Sequence, residues 1–218
     1  MLSRIASALV PVLGRLSVSS EVAGPVAPGS IVVANHSSLA DPGVVLAALR
    51  RVGTEPVVMA AAGLWRVPGL GGVLRAGGHI PVRRGSARAA EALDAAATAL
   101  AEGRVVLIYG EGGLPKRRDS RDAAPVAFRT GLARLAAASG APVVPLGQCG
   151  ARRLSSGGTA KQVAGFATAP LRRPSLHVHL GAPIRLAGDT SEATATAHLA
   201  VTRAWRTAEQ RLPDRSVG

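Results

Sequence analysis

The stretch Ile31-Val32-Val33-Ala34 constrains this chain most, because an apolar run so rich in β-branched residues specifies a buried strand. The run stops abruptly at Asn35-His36, and Asp41-Pro42 follows within the next six residues. Asp is favoured at a helix N-cap and Pro at the first helical position, so this pair predicts a helix start. Five residues along a helix amount to about 140° of rotation, so His36 and Asp41 could not face each other if both were helical. With His36 in a turn and Asp41 at a helix start, the chain can fold back and bring carboxylate to imidazole. A carboxylate on one ring nitrogen fixes the tautomer and leaves the other nitrogen to take a proton from a hydroxyl. The alternative is that Asp41 only caps a helix and His36 only turns the chain.

A length of 218 residues suffices for one domain with a substantial core. Lys and Arg number 26 against 13 Asp and Glu, a formal charge of +13, which implies an anionic partner: nucleic acid, a phospholipid surface or a phosphorylated substrate. Aromatic residues make up only 2%, too few for a base-stacking platform, so no nucleic acid is expected. An apolar fraction of 47% in so basic a chain suits a protein lying on a membrane, although much of it is Ala. The single Cys149 excludes an intrachain disulfide and a thiolate metal cluster. No apolar run approaches the roughly 18 residues of a spanning helix.

Leu2, Ile5, Ala6, Leu9, Leu13 and Leu16 predict an amphipathic helix over 2–16, bent at Pro11. Packing on the core, an interfacial membrane anchor and a cleaved signal peptide are its three readings. Residues 1–23 are assigned as a membrane-associating segment and 24–213 as the main domain. Beyond a Pro/Gly linker at 24–29, strands at 56–59, 79–82, 104–109, 142–147 and 176–180 alternate with helices. The helices are expected at 42–51, from a Ser86 cap to about 102, at 126–139, and at 190–212 closed by Pro213. Residues 63–75 read as helical or irregular, and 150–175, basic and Gly-rich, as a long irregular insertion. The fold class is therefore α/β: a mixed, largely parallel sheet flanked by helices, with an N-terminal amphipathic helix. His36, Arg84 and Glu111 each follow the C-terminal end of an expected strand, the edge where open α/β sheets bind ligands.

Four ordered blocks now stand out: Asn35-His36 through Asp41; Gly78-His79-Ile80-Pro81-Val82-Arg83-Arg84; Tyr109-Gly110-Glu111-Gly112-Gly113-Leu114; and Ala141-Pro142-Val143-Val144-Pro145-Leu146. Together they resemble the lysophospholipid/glycerolipid acyltransferase family, in particular its bacterial 1-acyl-sn-glycerol-3-phosphate acyltransferases. The resemblance spans about residues 25–210, with support from the segment 128–134 and the Gly181-Ala182-Pro183-Ile184 turn.

The resemblance implies transfer of a fatty acyl group from acyl-CoA or acyl-carrier protein to the free hydroxyl of a lysophospholipid, with no metal or bound cofactor. His36 would be the general base, held by Asp41, and no nucleophilic residue would be needed, in keeping with the absence of a Gly-x-Ser-x-Gly elbow. Arg84 would grip the acceptor's phosphate with its planar fork. Glu111 would orient the acceptor's glycerol or Arg84, and Gly112 would let backbone approach a phosphate. Gly78 and Ser38 complete the expected substrate contacts, with Ser37, Ser38 or nearby amides as oxyanion donors. The third block departs from the family's usual Phe-Pro-Glu-Gly-Thr-Arg at Gly110, Gly113 and Leu114, which removes one cation and one hydroxyl; Lys116, Arg117 and Arg118 follow closely.

The expected setting is the cytoplasmic face of the membrane, peripherally, on anionic phospholipid. Two alternatives remain open: an acyltransferase for a non-glycerophosphate acceptor such as an amino-lipid or natural-product hydroxyl, and a noncatalytic basic protein binding membrane or nucleic acid. His79 reads as packed, His177 and His179 as one face of a strand, and His198 as lacking partners.

Overall fold

The run at 31–34 is buried at every residue and takes the centre of a seven-stranded sheet. The computed structural model describes residues 1–85, 89–114 and 121–212. Its strands are β1 (Arg15–Ser20), β2 (Ile31–Ala34), β3 (Val57–Ala61), β4 (Ile80–Val82), β5 (Val106–Tyr109), β6 (Val143–Cys149) and β7 (Ser175–Leu180). Across the sheet they run β1-β7-β6-β2-β5-β3-β4. Only β6 and β7 pair antiparallel; the other neighbours are parallel. This is the expected mixed, largely parallel α/β sheet. Ser86, Lys116, Arg117, Arg118 and Pro213 lie outside the described residues.

The helices are α1 (Leu2–Leu13), α2 (Asp41–Arg51), α3 (Leu70–Ala76), α4 (Ala89–Ala101), α5 (Gly131–Ser139), α6 (Thr159–Arg172) and α7 (Thr190–Gln210). Alternation along β2 divides the interior in two. Val32 and Ala34 pack with α1, α2 and the one buried residue of α6, whereas Ile31 and Val33 pack with α4, α5 and α7. Burying both faces of a parallel strand is what makes it a continuous apolar run. Helix α7 presses on the sheet: a Cβ added to Gly147 would collide with the Ala204–Trp205 peptide. Its start is fixed by a capping box, Asp189 accepting from Ser191 and Glu192 amides while Glu192 accepts from the Asp189 amide.

Three elements differ from the sequence reading. The N-terminal helix stops at Leu13, because Gly14 is extended (φ −166°, ψ 173°), and the chain continues as edge strand β1, paired with β7. Residues 15–20 are thus built into the sheet, and α1 packs on the core with Ser3, Ala6 and Val10 buried. The 150–175 segment is not an irregular insertion: it holds a short 3-10 turn and the 14-residue α6. Helix α5 begins at Gly131 rather than at residue 126, and residues 121–129 before it form no regular element.

A polar row joins β1 to β7. Ser17 Oγ lies 2.7 Å from His177 Nδ1, and Ser19 Oγ lies 2.9 Å from both His177 Nε2 and His179 Nδ1. His179 Nε2 stands 3.3 Å from Glu21 Oε1. Both imidazoles therefore serve the sheet edge, and desolvation holds the His177 pKa below its usual range.

Candidate active site

Because β2, β4 and β5 are parallel, the residues that follow them emerge on one rim. His36 follows β2, and Asp41 opens α2. Asp41 does not cap its helix; Ala40 holds that position without a side-chain bond. The fully buried Asp41 carboxylate turns back instead. Its Oδ2 accepts from His36 Nδ1 at 3.0 Å, from the Ser38 amide at 2.8 Å and from the Ser37 amide. An ionised carboxylate only accepts, so Nδ1 carries the proton and Nε2 of the neutral ring is bare. The His36 ring packs on Tyr109 with centroids 4.4 Å apart.

The turn is pinned from β6. Asn35 pairs with Gln148 as a further rung would, its Oδ1 accepting from the Gln148 amide at 2.8 Å and its Nδ2 donating to the Gln148 carbonyl at 3.1 Å. Ser38 Oγ donates to Ser155 O at 2.6 Å and accepts from the Ala40 amide, so this buried hydroxyl shapes the turn. The Ser37 and Ser38 amides both donate to Asp41 Oδ2.

Glu111, after β5, accepts from the His36 amide at 3.3 Å and from the Val126 amide. Burial, reinforced by the Asp41 charge, pushes its carboxyl up to about 8 despite those amides. Gly112 has φ +67°, and a Cβ there would meet the Arg129 side chain. Gly110 donates to Ala34 O at 3.2 Å, a bond proline cannot make, and its α-carbon lies under the Phe128 ring. Arg84 is exposed after β4, its Nη1 lying over Gly113. Gly78 sits at the opposite end of β4, where φ +65° in a turn accounts for the glycine.

Asn35, His36, Ser37, Glu111, Ala123, Ala124, Val126 and Arg152 line a small cleft that opens to solvent. Arg152 was not singled out by the sequence. Its buried guanidinium donates to Ser37 O at 2.7 Å, reaching the histidine turn from the segment after β6. Its only signal in the sequence is its place just past the end of a strand.

The 121–130 segment forms the other wall. Asp122 accepts from the Gly150 amide at 3.1 Å, and the Arg129 amide donates to Gly110 O at 2.9 Å. His198 is not without partners: Nε2 meets Pro125 O at 3.1 Å, and its ring stands edge-on to Phe128. His79 is packed, accepting from the Val58 amide. Cys149 is buried, and burial with the Asp122 carboxylate drives its thiol upward, away from a thiolate. Among the described residues no helix is long and apolar enough to cross a membrane.

A family model described as Acyltransferase matches residues 15–148. No curated protein matches the chain. Among solved structures, that of the 1-acyl-sn-glycerophosphate (LPA) acyltransferase PlsC from Thermotoga maritima superimposes with a TM-score of 0.76. The two are 19% identical, over 98% of this chain and 80% of that one, a likeness of fold.

Proposed function

The chain belongs to the acyltransferase family, and on that premise we propose that it moves a fatty acyl group from a thioester to the free hydroxyl of a lysophospholipid. The donor is acyl-CoA or acyl-carrier protein, and the acceptor is 1-acyl-sn-glycerol 3-phosphate, giving phosphatidate. No bound cofactor takes part. The observation that carries this reading is the His36–Asp41 pair in a cleft at the C-terminal rim of the sheet.

In this scheme the acceptor's hydroxyl gives its proton to His36 Nε2 while its oxygen attacks the thioester carbonyl. The tetrahedral oxyanion collapses, the C–S bond breaks, and the leaving sulfur takes the proton back from the imidazolium. Asp41 keeps Nδ1 protonated and offsets the imidazolium charge, a contribution of about 10²–10⁴ in rate for the base. Arg152 lines the cleft beside His36, so negative charge developing on the carbonyl oxygen falls near a guanidinium. Arg84, out on the same rim, receives the acceptor's phosphate, with Glu111 and Gly112 shaping the floor between them. The protein acts peripherally on anionic phospholipid at the cytoplasmic face of the membrane, residues 1–23 contributing to that contact.

A second reading has its own observation. Gly110 lies under Phe128 and Leu114 stands where a cation is usual, so the acceptor side of the rim is built differently. That favours an acceptor without a glycerophosphate, such as an amino-lipid. Incubation with a labelled acyl thioester and a panel of lysolipids with and without phosphate, read by mass spectrometry, decides between them. Acylation of lysophosphatidate by the native chain, lost in His36→Ala, is the expected result; equal turnover by His36→Ala overturns the base assignment. Arg84→Ala should raise KM for the phosphorylated acceptor far more than for the thioester.

A further inference from the structure

Helix α6 lies largely outside the core. Of its 14 residues only Ala169 is buried. Val163 is 64% and Leu171 89% exposed, and with Ala164 and Ala167 they make a stripe at three- and four-residue spacing. Helix α1 repeats the arrangement beside it: Leu9 and Val12 are 55% and 57% exposed, opposite its buried side. The helices pack together, and Arg173 Nη2 donates to Pro11 O at 3.1 Å across the joint. Neither helix contains an Asp or Glu, while Arg4 and Lys161 project from them into solvent. Exposed aliphatic stripes flanked by uncompensated cations match an anionic bilayer surface, apolar side chains entering the acyl boundary and cations meeting headgroups.

We propose that α1 and α6 together form the face that docks on anionic phospholipid, with α6 the part of it that the N-terminal segment alone does not supply. This rests on the lysolipid reading above and gives it a surface. Docking there also positions the site. Ser38, two residues from His36, bonds to Ser155 O ahead of α6, and its neighbour Leu39 is 58% exposed. The histidine turn then meets the lipid boundary along with the two helices.

The test uses the full chain and sedimentation with vesicles of phosphatidylglycerol mixed into phosphatidylcholine, against phosphatidylcholine alone. The double variant Val163→Asp/Leu171→Asp, and separately Leu9→Asp, should each lower partition onto the anionic vesicles about tenfold or more. Circular dichroism, melting temperature and transfer in detergent micelles should stay at native values. Native partition by the double variant overturns the proposal. So does a lipid-free dimer of the native chain that the double variant dissolves, since the stripe then meets a second copy. Absence of micellar transfer in the native chain counts against the acyl-transfer reading alone, and the vesicle result decides the docking surface independently.

Discussion

Asp41 begins α2, yet its carboxylate gathers the His36 ring and the amides of the turn before it. Buried and acceptor-only, it fixes which imidazole nitrogen is bare and holds the turn in one shape. Asp41→Asn keeps the volume but brings an NH₂ group against those donors or loses the charge opposite the imidazolium. It should lower kcat by about 10²–10⁴ with a much smaller change in KM, measured by steady-state kinetics. Glu111 gives a pH signature. Folded, it keeps its proton up to about pH 8; unfolded, it releases it near 4.5. Between those values the native state binds the extra proton, so stability falls as pH rises through the window. Glu111→Gln has no proton to lose, and its melting temperature should gain on the native chain's from pH 5 to pH 8. The His36–Asp41 contact was legible from a strand, a turn and a helix start. Arg152 was not, because only tertiary packing of the segment after β6 carries a guanidinium to Ser37.

Two glycines show how elements, rather than single side chains, are constrained. At Gly147, α7 crosses β6 so closely that any Cβ must push them apart. Gly147→Ala should cost about 3 kcal/mol or more, read as a lower denaturant midpoint. Gly72, exposed in α3 with nothing within 4 Å of a Cβ, should respond the opposite way. Gly72→Ala should gain about 0.5–1 kcal/mol from helix propensity. The elements missed in the sequence share one cause, a local pattern overruled by distant partners. Leu16 continues the helical spacing of the first residues, yet Ser17-Val18-Ser19 alternates and finds β7. The 126–130 stretch is apolar enough for a helix, but the Val126 and Arg129 amides go to Glu111 and Gly110 O. Helix α6 was hidden by Gly and Ala, its apolar stripe facing outward instead of marking a core.

For the molecule as a whole, the order β6-β2-β5-β3-β4 with parallel strands explains why blocks scattered over the sequence meet at one edge. The N-terminal segment belongs to that whole. Deleting residues 1–20 removes buried Val10 and Leu16 and bares β7, which should cost roughly 4 kcal/mol or more from those two side chains alone. Chemical denaturation of the truncated chain checks this, and point changes on the outer side of α1 are the cleaner probe of lipid contact. The seam that would be torn has a property of its own. Ser19 owns a single hydroxyl hydrogen and faces two imidazole nitrogens, so at least one of that pair must arrive already protonated. His177 and His179 are consequently not independent in their choice of tautomer: where one ring keeps its hydrogen restricts where the other can keep its own.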